Sequence, residues 1–145
     1  MKDCIETRII GAVRELLAGR VNEILREMEN AVPVIEFGDY CGAGFIIPLI
    51  ALVCCERAEK ERVVRLEAYS LSITFSLLET PESELLCYAY SGAVSRAFYD
   101  DPTLCGVADR AVITGKKYMA PKKQHCGDGW GLEISLRVTV EETNK

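Results

Sequence analysis

The stretch Arg62 to Leu77 reads RVVRLEAYSLSITFSL, and its pattern decides the fold class. Apolar side chains first fall at even positions, Val64, Leu66 and Ala68. They then fall at odd positions, Tyr69, Leu71, Ile73, Phe75 and Leu77. Each half alternates as a strand buried on one face must. The buried face switches between Ala68 and Tyr69, which is what one inserted residue does to a strand. A β-bulge is therefore expected there, bending the strand and re-aiming its side chains. One half would then face the chain's own core and the other a second subunit.

Upstream, the apolar run IIPLIALVCCE has strand length, and Pro48 suits a strand start or an edge. The polar RAEKE follows, so the two runs are expected to form a β-hairpin with a charged connection. Before them, DCIETRIIGAVRELLAGRVNEILREMEN repeats Ile5, Ile9, Val13, Leu16, Leu17, Val21, Ile24, Leu25 and Met28 at helical spacing. Asp3 is expected to cap this helix, with Glu6 as its capping-box partner. Gly19 weakens its middle, and Asn30 and Pro33 mark its end. Val34 to Phe37 reads as a short extended piece and Gly38 to Gly44 as a loop, without the Gly-Lys-Ser/Thr ending of a phosphate-binding loop.

Downstream, TPESELLCYAYSGAVSRAFYDDP predicts a second helix. Thr80 is its N-cap, Pro81 its first residue, and Asp100, Asp101 and Pro102 its end. Leu85, Leu86, Ala89, Ala93, Val94, Ala97 and Phe98 form its expected buried stripe. A strand over VADRAVITGKKYMA, a crossing PKKQHCGDG and a strand over WGLEISLRVTV complete the chain. Helix, hairpin, helix, hairpin predicts an α+β fold with a mostly antiparallel sheet, one long bent strand and two main helices. No repeat or internal boundary interrupts the 145 residues, so residues 1–145 read as a single domain.

Composition bounds the function. Hydrophobic residues make up 49% and charged residues 27%, which places the chain among globular proteins rather than disordered ones. The net charge of -5 argues against a protein held to nucleic acid by basic patches. No apolar run approaches the ~18 residues of a membrane span, and MKDCIETRII lacks a signal-peptide core, so a cytoplasmic protein is expected. Cys4, Cys41, Cys54, Cys55, Cys87, Cys105 and Cys126 are odd in number and include no CxxC, so they read as buried reduced thiols.

Catalytic signals are sparse. His125 is the one histidine, beside Cys126 and near Asp128 in QHCGDGW. A Cys-His pair can activate a thiolate and His with Cys105 and Cys126 can ligate a metal, but neighbouring residues point apart and no ligand spacing is present. Asp128-Gly129 reads as a hairpin turn. Lys116, Lys117, Lys122 and Lys123 fit contact with phosphate, contact with an acidic partner, or a solvated loop. No nucleophile elbow, Walker motif or dinucleotide fingerprint occurs, and no catalytic, cofactor or metal residue is assigned.

The layout resembles the tail-terminator (tail-completion, head–tail joining) proteins of long-tailed bacteriophages and prophages. The resemblance runs from about Ile5 to Val140 and is carried by DDPTLCGVADRAVITGKKY, similar to a helix end followed by Asp-Pro-x-Leu-x-Gly and a strand, and by the closing GWGLEISLRVTV. VPVIEFGDYCGAGFIIP and the abundance of cysteine depart from the family. The resemblance implies a non-enzymatic structural protein without cofactors, forming a homo-oligomeric ring, usually a hexamer. Such a ring caps the tail-tube protein, ends tail polymerisation and docks to the head–tail connector protein, while DNA passes through its lumen without specific binding. Host cytoplasm during assembly, and then the virion tail, are the implied locations. At the subunit interface, the charged connection offers Arg57, Glu59, Lys60, Glu61 and Arg62, and the expected bend offers Tyr69. Another ring-forming virion component, such as a tail-tube or connector subunit, or a small cysteine/histidine-dependent enzyme or metal-binding protein, is the alternative.

Overall fold

The computed structural model describes residues 4–28, 34–35, 48–61, 64–77, 83–120 and 130–143; for 56–61, 64–66, 83, 142 and 143 the backbone alone is described. Helix α1 spans Ile5–Leu16, a wider π turn follows over Leu17–Val21, and α2 continues over Asn22–Glu27. Strands β1 (Leu49–Glu61) and β2 (Val64–Ser76) precede helix α3 (Ser83–Asp100), and β3 (Arg110–Met119) and β4 (Gly131–Thr143) close the fold. The four strands form one antiparallel sheet in the order β1-β2-β4-β3. The expected α+β architecture is therefore present, with the two predicted hairpins joined through β2 and β4.

The helices cover one face of the sheet. From α1 and the π turn, Ile9, Val13, Leu17 and Val21 are fully buried, and the π turn falls at the glycine that weakens the helical run. Helix α3 contributes Cys87, Tyr90, Ala93, Val94 and Ala97, all fully buried. Opposite them lie Tyr69, Leu71, Ile73 and Phe75 of β2 and Leu132, Ile134, Leu136 and Val138 of β4. The alternation that predicts β4 is the alternation that buries it. Leu85, expected in the α3 stripe, is instead 67% exposed. It sits in the first turn, while Cys87 and Tyr90 take the inward positions.

The expected bulge at Ala68–Tyr69 is absent from β2. Its ladder with β4 runs without a break from Val64↔Thr143 to Ser76↔Gly131. The insertion lies in β1, where Leu52 pairs with Leu71 and Cys54 with Ser70, so Val53 is the extra residue. Directly paired residues share a face, so β1 is the strand that changes phase. Ile50 and Leu52 lie on the core face before the bulge, and Cys55 and Arg57 hold the corresponding positions after it, opposite Tyr69 and Glu67. A second shift in β1 leaves Lys60 between Glu59↔Arg65 and Glu61↔Val64, and strand β3 carries a third insertion, Thr114, between Ile113↔Leu136 and Gly115↔Ser135.

Without a switch in β2, Glu67 falls on the core side with Tyr69, and both are buried. The Tyr69 hydroxyl donates to Glu67 Oε2 at 2.5 Å, which gives the buried carboxylate a partner. Burial first, and then this carboxylate, push the Tyr69 phenol well above its ordinary range. The even-numbered positions of β2 lie on the face without helices. Ala68 is nevertheless buried there, a single methyl between the register positions of Glu56 and Thr139.

Three further expectations change. RAEKE is not the hairpin connection, because β1 continues through Glu61 and only residues 62–63 intervene before β2. The α1 N-cap is Cys4 rather than Asp3, with no side-chain hydrogen bond to the helix end. Cys4, Cys54, Cys55 and Cys105 are exposed and only Cys87 is buried among the described cysteines, because β1 is an edge strand and Cys105 lies in a surface turn. Thr80 and Pro81, Asn30 and Pro33 at the expected end of the first helix, residues 36–37 of the extended piece and the loop 38–44 lie outside the described residues.

Candidate interaction surface

The order β1-β2-β4-β3 leaves β1 and β3 paired on one side only. Among the described residues each presents an edge without a further ladder, although at the start of β3 the Ala111 N–H donates to the Pro102 carbonyl at 2.6 Å. Exposed large apolar side chains collect at these same edges. Among the described residues they are Leu49 and Val53 on β1, Val112 and Tyr118 on β3, and Leu85, Tyr88 and Tyr99 on α3, which packs over β3.

The outward face of α3 has an unusual composition. Leu85, Tyr88, Gly92, Ser95 and Tyr99 follow one another at spacings of three and four, so they share one side of the helix. Tyr99 is 85% exposed. Only Glu84, Arg96 and Asp100 carry charge in this helix. A helix apolar on both sides is ordinarily covered on both.

Polar contacts tie α3 to β3. The Lys116 ammonium donates to the Ser91 carbonyl at 3.3 Å, and the hydroxyls of Ser91 and Tyr118 are 2.7 Å apart. The Tyr118 ring meets Tyr88 edge-on, with centroids 5.3 Å apart. Tyr88 donates in turn to Glu84 at 3.0 Å, and that hydrogen bond raises its phenol above the ordinary range. Between the C-terminal half of α3 and the start of β3 runs a groove of about 560 Å³, lined by Phe98, Tyr99, Pro102, Ala111 and Val112 with Asp109 and Arg110. Asp109 fixes this end of the sheet, since its carboxylate accepts from the Glu141 N–H at 2.7 Å.

The DPTLCG element that carries the sequence resemblance forms the turn from α3 to β3. Leu104, Cys105 and Gly106 take φ of 51°, 55° and 86°, three successive residues in the left-handed region. Burial of Leu104 and the Asp101 carboxylate hold them there: Asp101 accepts the Cys105 N–H at 3.1 Å and the Thr103 hydroxyl at 3.5 Å. Arg20 clamps the end of α3 to the π turn, donating to Asp100 at 3.0 and 3.2 Å and to Glu23 at 3.2 Å. The Cys105 thiol donates to Asp101 at 3.4 Å, and that contact raises its pKa. This is the opposite of the activation a nucleophilic thiolate requires.

The residues expected at a subunit contact have separate fates. Tyr69 is 1% exposed and belongs to the core of its own chain, so it offers no surface. Arg57, Glu59, Lys60 and Glu61 lie along the end of β1, where the backbone alone is described, and Arg62 lies outside the described residues. Lys116 and Lys117 are on β3, whereas Lys122, Lys123, His125, Cys126 and Asp128 lie outside the described residues. Among the described residues no group of three His, Cys, Asp or Glu side chains converges as a metal site, and no helix is long and apolar enough to cross a membrane. Leu85, Tyr88, Tyr99 and Val112 carry no surface signal in the spacing of apolar residues, yet are exposed. The sparse charge of the second helix was the available signal. Compared with known proteins, the chain matches no protein-family model and no curated sequence.

Proposed function

We propose that this chain is a structural phage or prophage virion protein of the tail-terminator type. It caps the tail tube as a ring of identical subunits, ends tail polymerisation and joins the tail to the head connector. One observation carries the reading: exposed apolar side chains sit at both opposite edges of a single sheet, on β1 and on α3 with β3. Two different edges that each need cover suit a head-to-tail contact, which closes into a ring when the rotation between subunits permits. The net charge of -5 suits a lumen through which DNA moves without adhering. The partners are further copies of the chain, the tail-tube protein and the head–tail connector protein, met in the host cytoplasm during assembly and retained in the virion tail. A tail-tube or connector subunit would use the same edges, and tail length separates these readings. Cells producing the phage without this gene are expected to accumulate overlong tails without heads, measured by electron microscopy. Tails of normal length on full heads would contradict termination.

A further inference from the structure

Of the three bulges, those at Val53 and Thr114 stand in a specific relation. Across the sheet, Ala51, Ser72, Ser135 and Gly115 lie on one level, and Cys54, Ser70, Arg137 and Val112 lie on another. Between these levels each central strand has one residue, Leu71 in β2 and Leu136 in β4. Each edge strand has two, Leu52 and Val53 in β1 and Ile113 and Thr114 in β3. A bulge ordinarily spoils an edge for pairing. Two edges lengthened by the same amount at the same height spoil nothing for each other.

We infer that the β3 edge of one copy takes the β1 edge of the next, resting on the proposed ring. The direction is right: three antiparallel pairings in succession leave β3 running opposite to β1, so a laterally repeated sheet continues antiparallel. Level with level, Leu49 meets Lys117, Ala51 meets Gly115, Cys54 meets Val112 and Glu56 meets Arg110, with no residue left over. One level of this register pairs opposite charges, Glu56 with Arg110, while Lys117 meets Leu49 and Lys116 stays on the Ser91 carbonyl of its own chain. The same joint covers the outward face of α3. Because α1 packs over β1 and α3 over β3, it brings α1 of one copy against Leu85, Tyr88 and Tyr99 of the other. Backbone pairing supplies the direction and these side chains the apolar area.

A native thiol makes the register testable. Cys54 is exposed, and Val112 is exposed at the facing position. Within one chain the two edges are three strand spacings apart, roughly 14 Å, and a disulfide tolerates no more than about 7 Å between Cα atoms. In the variant Val112→Cys, a disulfide between Cys54 and the introduced thiol is therefore intermolecular. The variant would be oxidised with diamide, which takes up the two electrons and two protons released, alone and with cognate tail tubes. Non-reducing electrophoresis is expected to give dimers and higher species. These should fall to the wild-type background in Val112→Cys/Cys54→Ser, which retains the other thiols. Sedimentation of the unoxidised protein completes the test. Oligomers that give no Cys54-dependent cross-link would overturn the edge joint and leave the ring intact. A monomer under every condition, tubes included, would overturn both.

Discussion

Phe75→Asp is expected to leave the chain unfolded under conditions where the wild type is folded. Phe75 is fully buried on β2, opposite Leu132, and stacks on Tyr90 with ring centroids 5.5 Å apart and planes at 11°. A carboxylate there loses its water and the ring contact together. An unpartnered buried charge costs several kcal/mol, against a total stability of about 5–15 kcal/mol for a domain. Circular dichroism with thermal melting would show loss of the cooperative transition. Phe75→Leu, which keeps the apolar volume roughly constant, is expected to lower stability by only about 1–2 kcal/mol. A melting temperature for Phe75→Asp equal to the wild type's would remove Phe75 from the core.

The second large effect is expected at Asn22. This residue follows the π turn, is 3% exposed, and acts as a partner for the backbone of Ile35. Its amide nitrogen donates to the carbonyls of Ala18 at 3.0 Å and Ile35 at 2.6 Å, and its oxygen accepts the Ile35 N–H at 2.6 Å. It thereby ties the chain beyond the first helix back to that helix. Asn22→Leu fits the buried site in size but removes both bonds to Ile35, itself fully buried. Each backbone group left without this partner costs about 1–3 kcal/mol, so a loss of roughly 2–6 kcal/mol is expected. Denaturant titration measures it. Asn22→Asp keeps an acceptor for the Ile35 N–H but loses the donor. A cost below about 0.5 kcal/mol for Asn22→Leu would show that the bonds contribute little beyond those to water.

What the sequence made legible follows from which signals are local. Leu132, Ile134, Leu136 and Val138 alternate because one face of β4 is covered by helices, and the pattern is read directly. Asp100, Asp101 and Pro102 end α3 where they are expected to, since acidic residues and proline act at a helix terminus without tertiary help. The phase change around Ala68 was visible but assigned to the wrong strand. Ala68 lies on the outer face beside the Glu56 position of β1, and alternation within β2 alone cannot tell an outer apolar face from an inner one. The true insertion, Val53, lies in an apolar run, IIPLIALVCCE, where every position looks buried and phase has no meaning. RAEKE resembles a connection because a strand end with little apolar content carries no periodic signal.

The candidate surface was less legible than the fold. That β1 and β3 are edges depends on β2 pairing with β4 across more than fifty residues of chain, and no local pattern encodes that choice. Tyr69 was placed at a subunit contact by the supposed bend. Once the bend moves to β1, Tyr69 takes its place inside, with Glu67 as its partner. Leu85 falls in the stripe that spacing predicts for α3, and Tyr88 and Tyr99, outside it, carry no sign of a shared surface until α3 has a direction relative to the sheet.

We propose that copies of this chain close into a ring on the end of a tail tube. Sedimentation velocity over a range of protein and salt concentrations, with and without cognate tail tubes, tests it most directly. Either a single closed oligomer of fixed size forms in solution, or a monomer is recruited to tube ends in a fixed number of copies per tube. Apolar contacts supply most of the expected affinity and exposed ion pairs contribute only about 0–1 kcal/mol each, so added salt should weaken association modestly rather than abolish it. A protein that stays monomeric at every concentration and never cosediments with tubes would contradict the account.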